Sequence, residues 1–269
     1  MLRSSFCPVG KIIYNHSEVI PMNFEKLDIL SEKLKNARPL SQAELKRLSE
    51  EFMIENTYDS NAIEGNTLSL RETALILQEG ITIAEKPLKD HLEAIGHKDA
   101  FLYMVELADS KEPLTEKAIK DIHSLVLMND AVNRGVYRRL PVKILGAEHN
   151  PPQPYLVPVE MERLIMDYDQ MKQEKHIIEA IGLFHILFEG IHPFIDGNGR
   201  TGRLILNLEL IKAGLLPINI KFTDRRRYYE CFDNYYTKKD NGESMIELIA
   251  GYEIKELEKR LEMLESIEG

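Results

Sequence analysis

The chain of 269 residues is long enough for one large domain or two modest ones, and its 43% hydrophobic content supplies a packed core without covalent staples. With 44 acidic against 34 basic residues, the net charge of -10 disfavours a general nucleic-acid or anionic-membrane binder, apart from a local basic patch at Arg225-Arg226-Arg227. Only Cys7 and Cys231 are present, without metal-ligand or CxxC spacing, which points to a reducing compartment and, by default, the cytoplasm.

No signal peptide is expected, because Lys11, Asn15, His16 and Glu18 interrupt the first 24 residues. A first helix is expected over residues 24–36, where Leu27, Leu30 and Leu34 recur at helical intervals before Pro39. Ser41 with Glu44 forms a capping-box pattern that opens a second helix over about 42–64, with Gly65 as its stop. Ser69 with Glu72 starts a short third helix ending near Gly80, Pro87 opens a longer fourth, and Thr115 caps a fifth through Ile119 and Ile122. Between residues 133 and 158 the pattern changes. Val142-Lys143-Ile144-Leu145 and Tyr155-Leu156-Val157 read as short strands around a turn rich in proline and glycine.

Helical character resumes at about 159–172 and in 177–190, a segment apolar nearly all round and therefore central. Its most apolar run, Ile177 to Phe188, is about half the length needed to cross a bilayer and carries Glu179 and His185, so no membrane span is expected. Further helices are expected near 199–213, 224–237 and 244–266. The last has an apolar stripe of Ile246, Ile249, Leu257, Leu261 and Leu264, suited to the bundle or to a second subunit. The fold class is all-α with one small β-hairpin.

The chemistry is concentrated in Ile191-His192-Pro193-Phe194-Ile195-Asp196-Gly197-Asn198-Gly199-Arg200-Thr201-Gly202-Arg203. Gly197 and Gly199 allow positive φ and close approach of a ligand, and Asn198 also tolerates the left-handed region. At a helix start such a loop points unpaired N–H groups outward as an anion nest. Arg200 and Arg203, three apart, share a helix face and add donors suited to further phosphates. Asp196 is an oxygen ligand of the kind Mg²⁺ uses when phosphates and water complete its shell. His192 is a general-base candidate, and the following Pro193 is expected to hold its backbone extended. The run also fits GxGxxG, but a helix rather than a strand precedes it, and no kinase or GxxxxGK[ST] motif is present. An ordinary helix-helix turn with a capping Asp would need neither the histidine nor the paired arginines.

From His192 to Arg203 the chain matches HPFx[DE]GNGRxxR and so resembles Fic-domain proteins, over roughly residues 43–248. The resemblance implies a Fic-fold bundle with a hairpin flap at about 140–158, and transfer of AMP from MgATP to a Ser, Thr or Tyr hydroxyl of a target protein lying along that flap. It implies that His192 is the base, that Asp196 holds Mg²⁺, and that Gly197, Asn198, Gly199 and Arg200 bind the α- and β-phosphates. Arg203 would reach the γ-phosphate and Tyr229 would lie near the adenine. Residues 113–255 would form the Fic core, 1–112 an N-terminal helical region, and 256–269 the end of the last helix.

Glu64 lies at the end of its helix, where it meets the negative end of the macrodipole and calls for a cationic partner; Ser60 is on the same face. Ser60-Asn61-Ala62-Ile63-Glu64-Gly65 resembles the [ST]xxxE[GN] inhibitory motif of Fic proteins, which implies that Glu64 pairs with Arg203 and holds the enzyme off. Removal of AMP, use of another phosphate donor, or a catalytically quiet ATP-binding scaffold stand as alternatives, and self-modification and homo-oligomerisation are left open. No nucleic-acid or membrane partner is expected.

Overall fold

The computed structural model describes residues 24–110, 112–144 and 149–268. The expected N-terminal arm, Cys7 and Leu145 lie outside the described residues. The elements run α1 (Glu25–Asn36), α2 (Gln42–Ile63), α3 (Leu70–Glu79), α4 (Leu88–Ser110), α5 (Glu116–Val126), α6 (Val157–Glu174), α7 (Ile177–Ile191), α8 (Asn198–Lys212), α9 (Arg225–Asp233) and α10 (Glu243–Glu268). Local chemistry explains the boundaries. Ser41 and Ser69 each cap their helix reciprocally with the glutamate three residues on, and the Thr115 hydroxyl accepts from the Ala118 N–H. Gly80 closes α3 in the left-handed conformation, and Gly65, just past α2, has φ 94°.

Helix α7 is the axis of the bundle because its apolar residues leave no polar face to expose: Ile178, Ile181, Phe184 and Phe188 are all buried. It packs against α6, α8 and α10, while α8 also meets α4, α5 and α2. The loop joining α7 to α8 therefore opens where the two most buried helices meet. Helix α1 lies along α10, so the apolar stripe of the last helix is used at least partly within the chain: Leu257 and Leu264 are buried. No described helix is long and apolar enough to cross a membrane.

The hairpin expectation is corrected in part. Among the described residues there is no strand, and Tyr155-Leu156-Val157 is helical: a 3₁₀ turn over Pro154–Leu156 runs straight into α6. Pro154 and Pro158 sit at the first positions of these two helical pieces, where a fixed φ near −65° and a missing N–H are no handicap. Residues 141–144 have no regular structure. The helix expected over 224–237 is a 3₁₀ turn, then α9, then a π-helical turn over Asn234–Lys238.

Helix α6 is tied to α8 by one buried polar contact, in which the Tyr168 hydroxyl donates to Glu209 Oε2 at 2.9 Å. Tyr168→Phe keeps the ring and leaves a buried carboxylate short of a donor, a loss of about 1–3 kcal/mol. Thermal unfolding of the variant is expected to fall by roughly 2–4 °C for each kcal/mol lost.

Candidate active site

The loop begins where α7 ends. His192 caps α7 with φ 50° and ψ 60°, and its N–H bonds to Phe188 O at 3.0 Å. The expectation of an extended His192 is thus corrected: closing the helix in the left-handed region outweighs the pull of Pro193. Arg138, almost fully buried, fixes this geometry. Its Nε donates to His192 O at 2.8 Å and its Nη2 to Pro152 O at 2.6 Å and Ile191 O at 3.4 Å, while its own N–H reaches Pro193 O at 2.9 Å. One guanidinium therefore joins this loop to the segment before α6. Burial holds the His192 imidazole below the ordinary histidine value, with the Glu189 backbone acting the other way. The ring is neutral near pH 7.

The middle of the loop is held from α5. His123 stacks on Phe194 with centroids 3.6 Å apart. Its Nδ1 accepts from the Gly135 N–H, so the proton is on Nε2, which donates to Asp196 O at 2.9 Å. Burial pushes His123 down to about 4 and keeps it neutral. Asn198 is also turned inward: its Oδ1 accepts from the Phe194 N–H and its Nδ2 donates to Phe194 O, both at 2.9 Å. Gly197, at φ 77°, starts α8 in a conformation that side chains with a Cβ rarely adopt.

The two arginines do share a face of α8, and that face is covered by α2. Arg200 is 2% exposed; its Nη1 lies 3.2 Å from Glu93 Oε1 and 3.4 Å from Asn61 Oδ1, and its Nη2 is 3.6 Å from Asp196 Oδ1. Arg203 is bonded to the end of α2, donating from Nε to Ser60 Oγ at 2.9 Å and from Nη2 to Ser60 O at 2.9 Å and Glu64 Oε1 at 2.8 Å. Although burial works against its charge, the Glu64 carboxylate raises the Arg203 pKa further. The same carboxylate stands over Gly199, so close that a Cβ there would collide with Oε1. The anion nest at the start of α8 is thus already covered by an anion from the chain itself.

These groups open onto a cleft of about 490 Å³ lined by Glu64, Lys143, Glu189, His192, Gly199, Arg203, Tyr228 and Tyr229, among others. The structure brings the expected His192, Gly199, Arg203, Tyr229, Ser60 and Glu64 together. The Arg200 and Asn198 side chains face inward, and the Asp196 carboxylate, 56% exposed, lies outside the cleft lining. Among the described residues no cluster of three His, Cys, Asp or Glu could hold a metal by itself. A lone exposed carboxylate beside a helix N-terminus fits an ion whose other ligands arrive with phosphates. Tyr229 is 37% exposed, with the Arg225 guanidinium 5.2 Å from its ring, whereas Tyr228 is buried and bonded to His185 at 2.8 Å. Asn234 bonds to Ser244 instead of lining the cleft, while Tyr236 does line it, stacked on His149 at 3.8 Å. His123, Glu93 and Glu189 were not legible as site residues, since nothing in their local sequence marks a partner far along the chain.

A helical bundle whose charged loop joins its two most buried helices, with a side helix laid over the arginines of that loop, has the architecture of the Fic fold. Residues 113–210 match the model of the Fic/DOC family, and the chain belongs to that family. It is 32% identical over 247 residues to a protein adenylyltransferase Fic of Nematostella vectensis, spanning 87% of this chain and 56% of that one. With a protein of the same name from Culex quinquefasciatus it shares 35% identity over 211 residues, 77% of this chain and 41% of the other. The chain thus spans about half the length of these relatives. A Fic-domain signalling protein of Bacteroides thetaiotaomicron superposes with a TM-score of 0.82 at 28% identity, over 90% of this chain and 97% of that one. Fic-1 of C. elegans gives 0.78 at 25%, over 90% and 72%.

Because the Arg138 side chain holds the carbonyls of Ile191 and His192, Arg138→Ala is expected to loosen residues 190–198. Each lost charged hydrogen bond costs about 1.5–3 kcal/mol. Amide exchange in that segment, followed by mass spectrometry, is expected to quicken well beyond the change in the rest of α7; uniform protection would show that Arg138 is dispensable to the loop.

Proposed function

We propose that this chain is an autoinhibited protein adenylyltransferase that moves AMP from MgATP to a side-chain hydroxyl of a target protein. The observation that carries the reading is the Glu64 carboxylate lying over Gly199 in the grip of Arg203. A carboxylate held by an arginine at a helix N-terminus marks where a phosphate would be stabilised, and its presence keeps a phosphate out. The names of the relatives support AMP as the transferred group.

In this reading the target hydroxyl is deprotonated by His192 as its oxygen attacks the α-phosphorus. A new P–O bond forms, the bond from the α-phosphorus to the bridging oxygen breaks, and pyrophosphate leaves. The proton goes to His192. Catalysis rests on positioning and on neutralising phosphate charge. Main-chain N–H groups at Gly197, Asn198 and Gly199 cradle the phosphates, Arg203 takes the terminal one once Glu64 has left, and Tyr229 flanks the base. Arg200, tied to Glu93 and Asn61, contributes its charge from beneath the nest. Asp196 would hold Mg²⁺, which supplies charge neutralisation to the phosphates. Lys143 and Ile144 border the cleft, where a target segment would lie. The division of labour follows: residues 113–255 do the chemistry, residues 1–112 carry the obstruction, with Ser60 and Glu64 as its contact points, and residues 256–269 complete the last helix.

Intact-protein mass spectrometry after incubation with ATP and Mg²⁺ tests the reading. Glu64→Gly is expected to raise AMP incorporation, self-modification included, by about one to two orders of magnitude, as loss of a charged hydrogen bond at the phosphate site implies. His192→Ala in that background is expected to abolish it while ATP still binds. A phosphate adduct, or none in any variant, would refute AMP transfer. The rate of the Glu64→Gly protein is also expected to hold down to pH values below the ordinary histidine pKa of about 6.5, because burial keeps His192 neutral there.

A further inference from the structure

Arg203 is 4% exposed and cannot shed its charge, yet all three of its hydrogen bonds land on α2. Its Nη1 is buried without a partner. If the end of α2 moves away, a buried cation loses the one carboxylate that bonds to it among the described residues, a strongly destabilising change when nothing replaces it. One group is placed to do so. Glu189, in the last turn of α7, lines the same cleft, and its Oε1 is buried without a hydrogen-bond partner. That oxygen is packed so closely against Gly202, next to Arg203 in α8, that a Cβ there would collide with it.

We infer that Glu189 is the second counter-ion of Arg203, a positioning residue that holds the guanidinium at the cleft once Glu64 has withdrawn. The inference rests on the proposed inhibitory role of Glu64. The surroundings support an exchange of partners. Burial pushes the Glu189 carboxyl up to about 8; Arg203 pulls it down and Glu64 pushes it up. Around it, Tyr228 of α9 and Tyr236 of the π turn are both raised, and His185 and His192 are both lowered, so these four are neutral near pH 7. The charges that act on the carboxyl are those of Arg203 and Glu64; Lys143, Arg225 and Asp233 line the same cleft. With Glu64 in place Glu189 is protonated and redundant; with Glu64 gone, the charge that opposes its ionisation is lost, and Arg203, which favours it, remains to offset burial.

A double-mutant cycle on the whole chain tests this by thermal unfolding at pH 8 and pH 5, with Glu64→Ala and the near-isosteric Glu189→Gln. In the wild type at pH 8 Glu189→Gln is expected to be neutral or stabilising, since it removes a carboxyl whose ionisation is unfavourable. In the Glu64→Ala protein the effect of Glu189→Gln on Tm is expected to be less favourable than in the wild type by about 3 °C or more, because loss of Glu64 lowers the cost of ionising Glu189, and this difference between backgrounds is expected to shrink at pH 5, as the carboxyl takes up its proton. In the same background the Kd for MgATP at pH 8 is expected to rise about fivefold or more, as for a misplaced charged donor. Equal Tm shifts in both backgrounds, or a difference that is the same at both pH values, would overturn the inference. Failure of every variant to bind ATP would count against the nucleotide reading alone, since the unfolding cycle needs no nucleotide.

Discussion

Two guanidinium groups buried side by side on α8 set the terms for the rest of this structure. Removing an arginine from water costs several kcal/mol unless carboxylates and carbonyls surround it. Arg200 draws in Glu93 from α4 and Asn61 from α2, and Arg203 draws in Ser60 and Glu64. This explains the odd composition of α2, whose inner face buries Asn56, Thr57, Asp59, Ser60 and Asn61 alongside Met53, Ile54 and Ile63. Those polar groups find partners: Thr57 Oγ1 lies 3.1 Å from His97 Nδ1, and Asn219 donates to Asp59 at 2.8 Å. The helix is docked by hydrogen bonds and ion pairs as much as by apolar area.

The loop itself is rigid for a complementary reason. Several of its backbone carbonyls and amides lie outside any helix and are met by side chains: Arg138 at the start, His123 in the middle and Asn198 across the turn. His123 is carried by α5 and Asn198 by α8, which pack on each other, while Arg138 lies in the segment between α5 and α6. Placement of the His192 ring is therefore a consequence of the core, transmitted through a few directional bonds.

Much of this was legible in the sequence. Helix starts were readable because a Ser or Thr with a glutamate three residues on satisfies a defined pair of N–H groups, and those capping contacts are local. The left-handed turn at Gly197 and the shared face of Arg200 and Arg203 followed from φ/ψ freedom and helical spacing in the same way, whereas Gly199 lies within α8 without positive φ. The strand at Tyr155-Leu156-Val157 was misread because an aromatic and a β-branched residue around a proline-rich turn satisfy strand preferences, whereas burial of Val157 in the core and the flanking prolines favour a helix start. At His192 two local rules conflict, and the helix cap prevails. His123 and Arg138 reach residues of the loop 53 or more positions away, and no periodicity announces such partners; the same holds for Glu93 and Arg200. Glu64 was the intermediate case: its position at a helix end called for a cation, but only the resemblance to Fic inhibitory motifs named which one.

The polar docking of α2 has a thermodynamic corollary. Detaching a surface that is largely apolar changes heat capacity, and the equilibrium then shifts strongly with temperature. A contact that mixes ion pairs and hydrogen bonds with apolar area exposes both kinds of surface, whose heat-capacity contributions have opposite sign, so in the proposed mechanism the balance between closed and open α2 would be comparatively flat with temperature. Its controls in that reading would be dissolved ions and phosphate-bearing solutes that compete for Arg203, and a chain built this way would read the ionic composition around it more readily than heat.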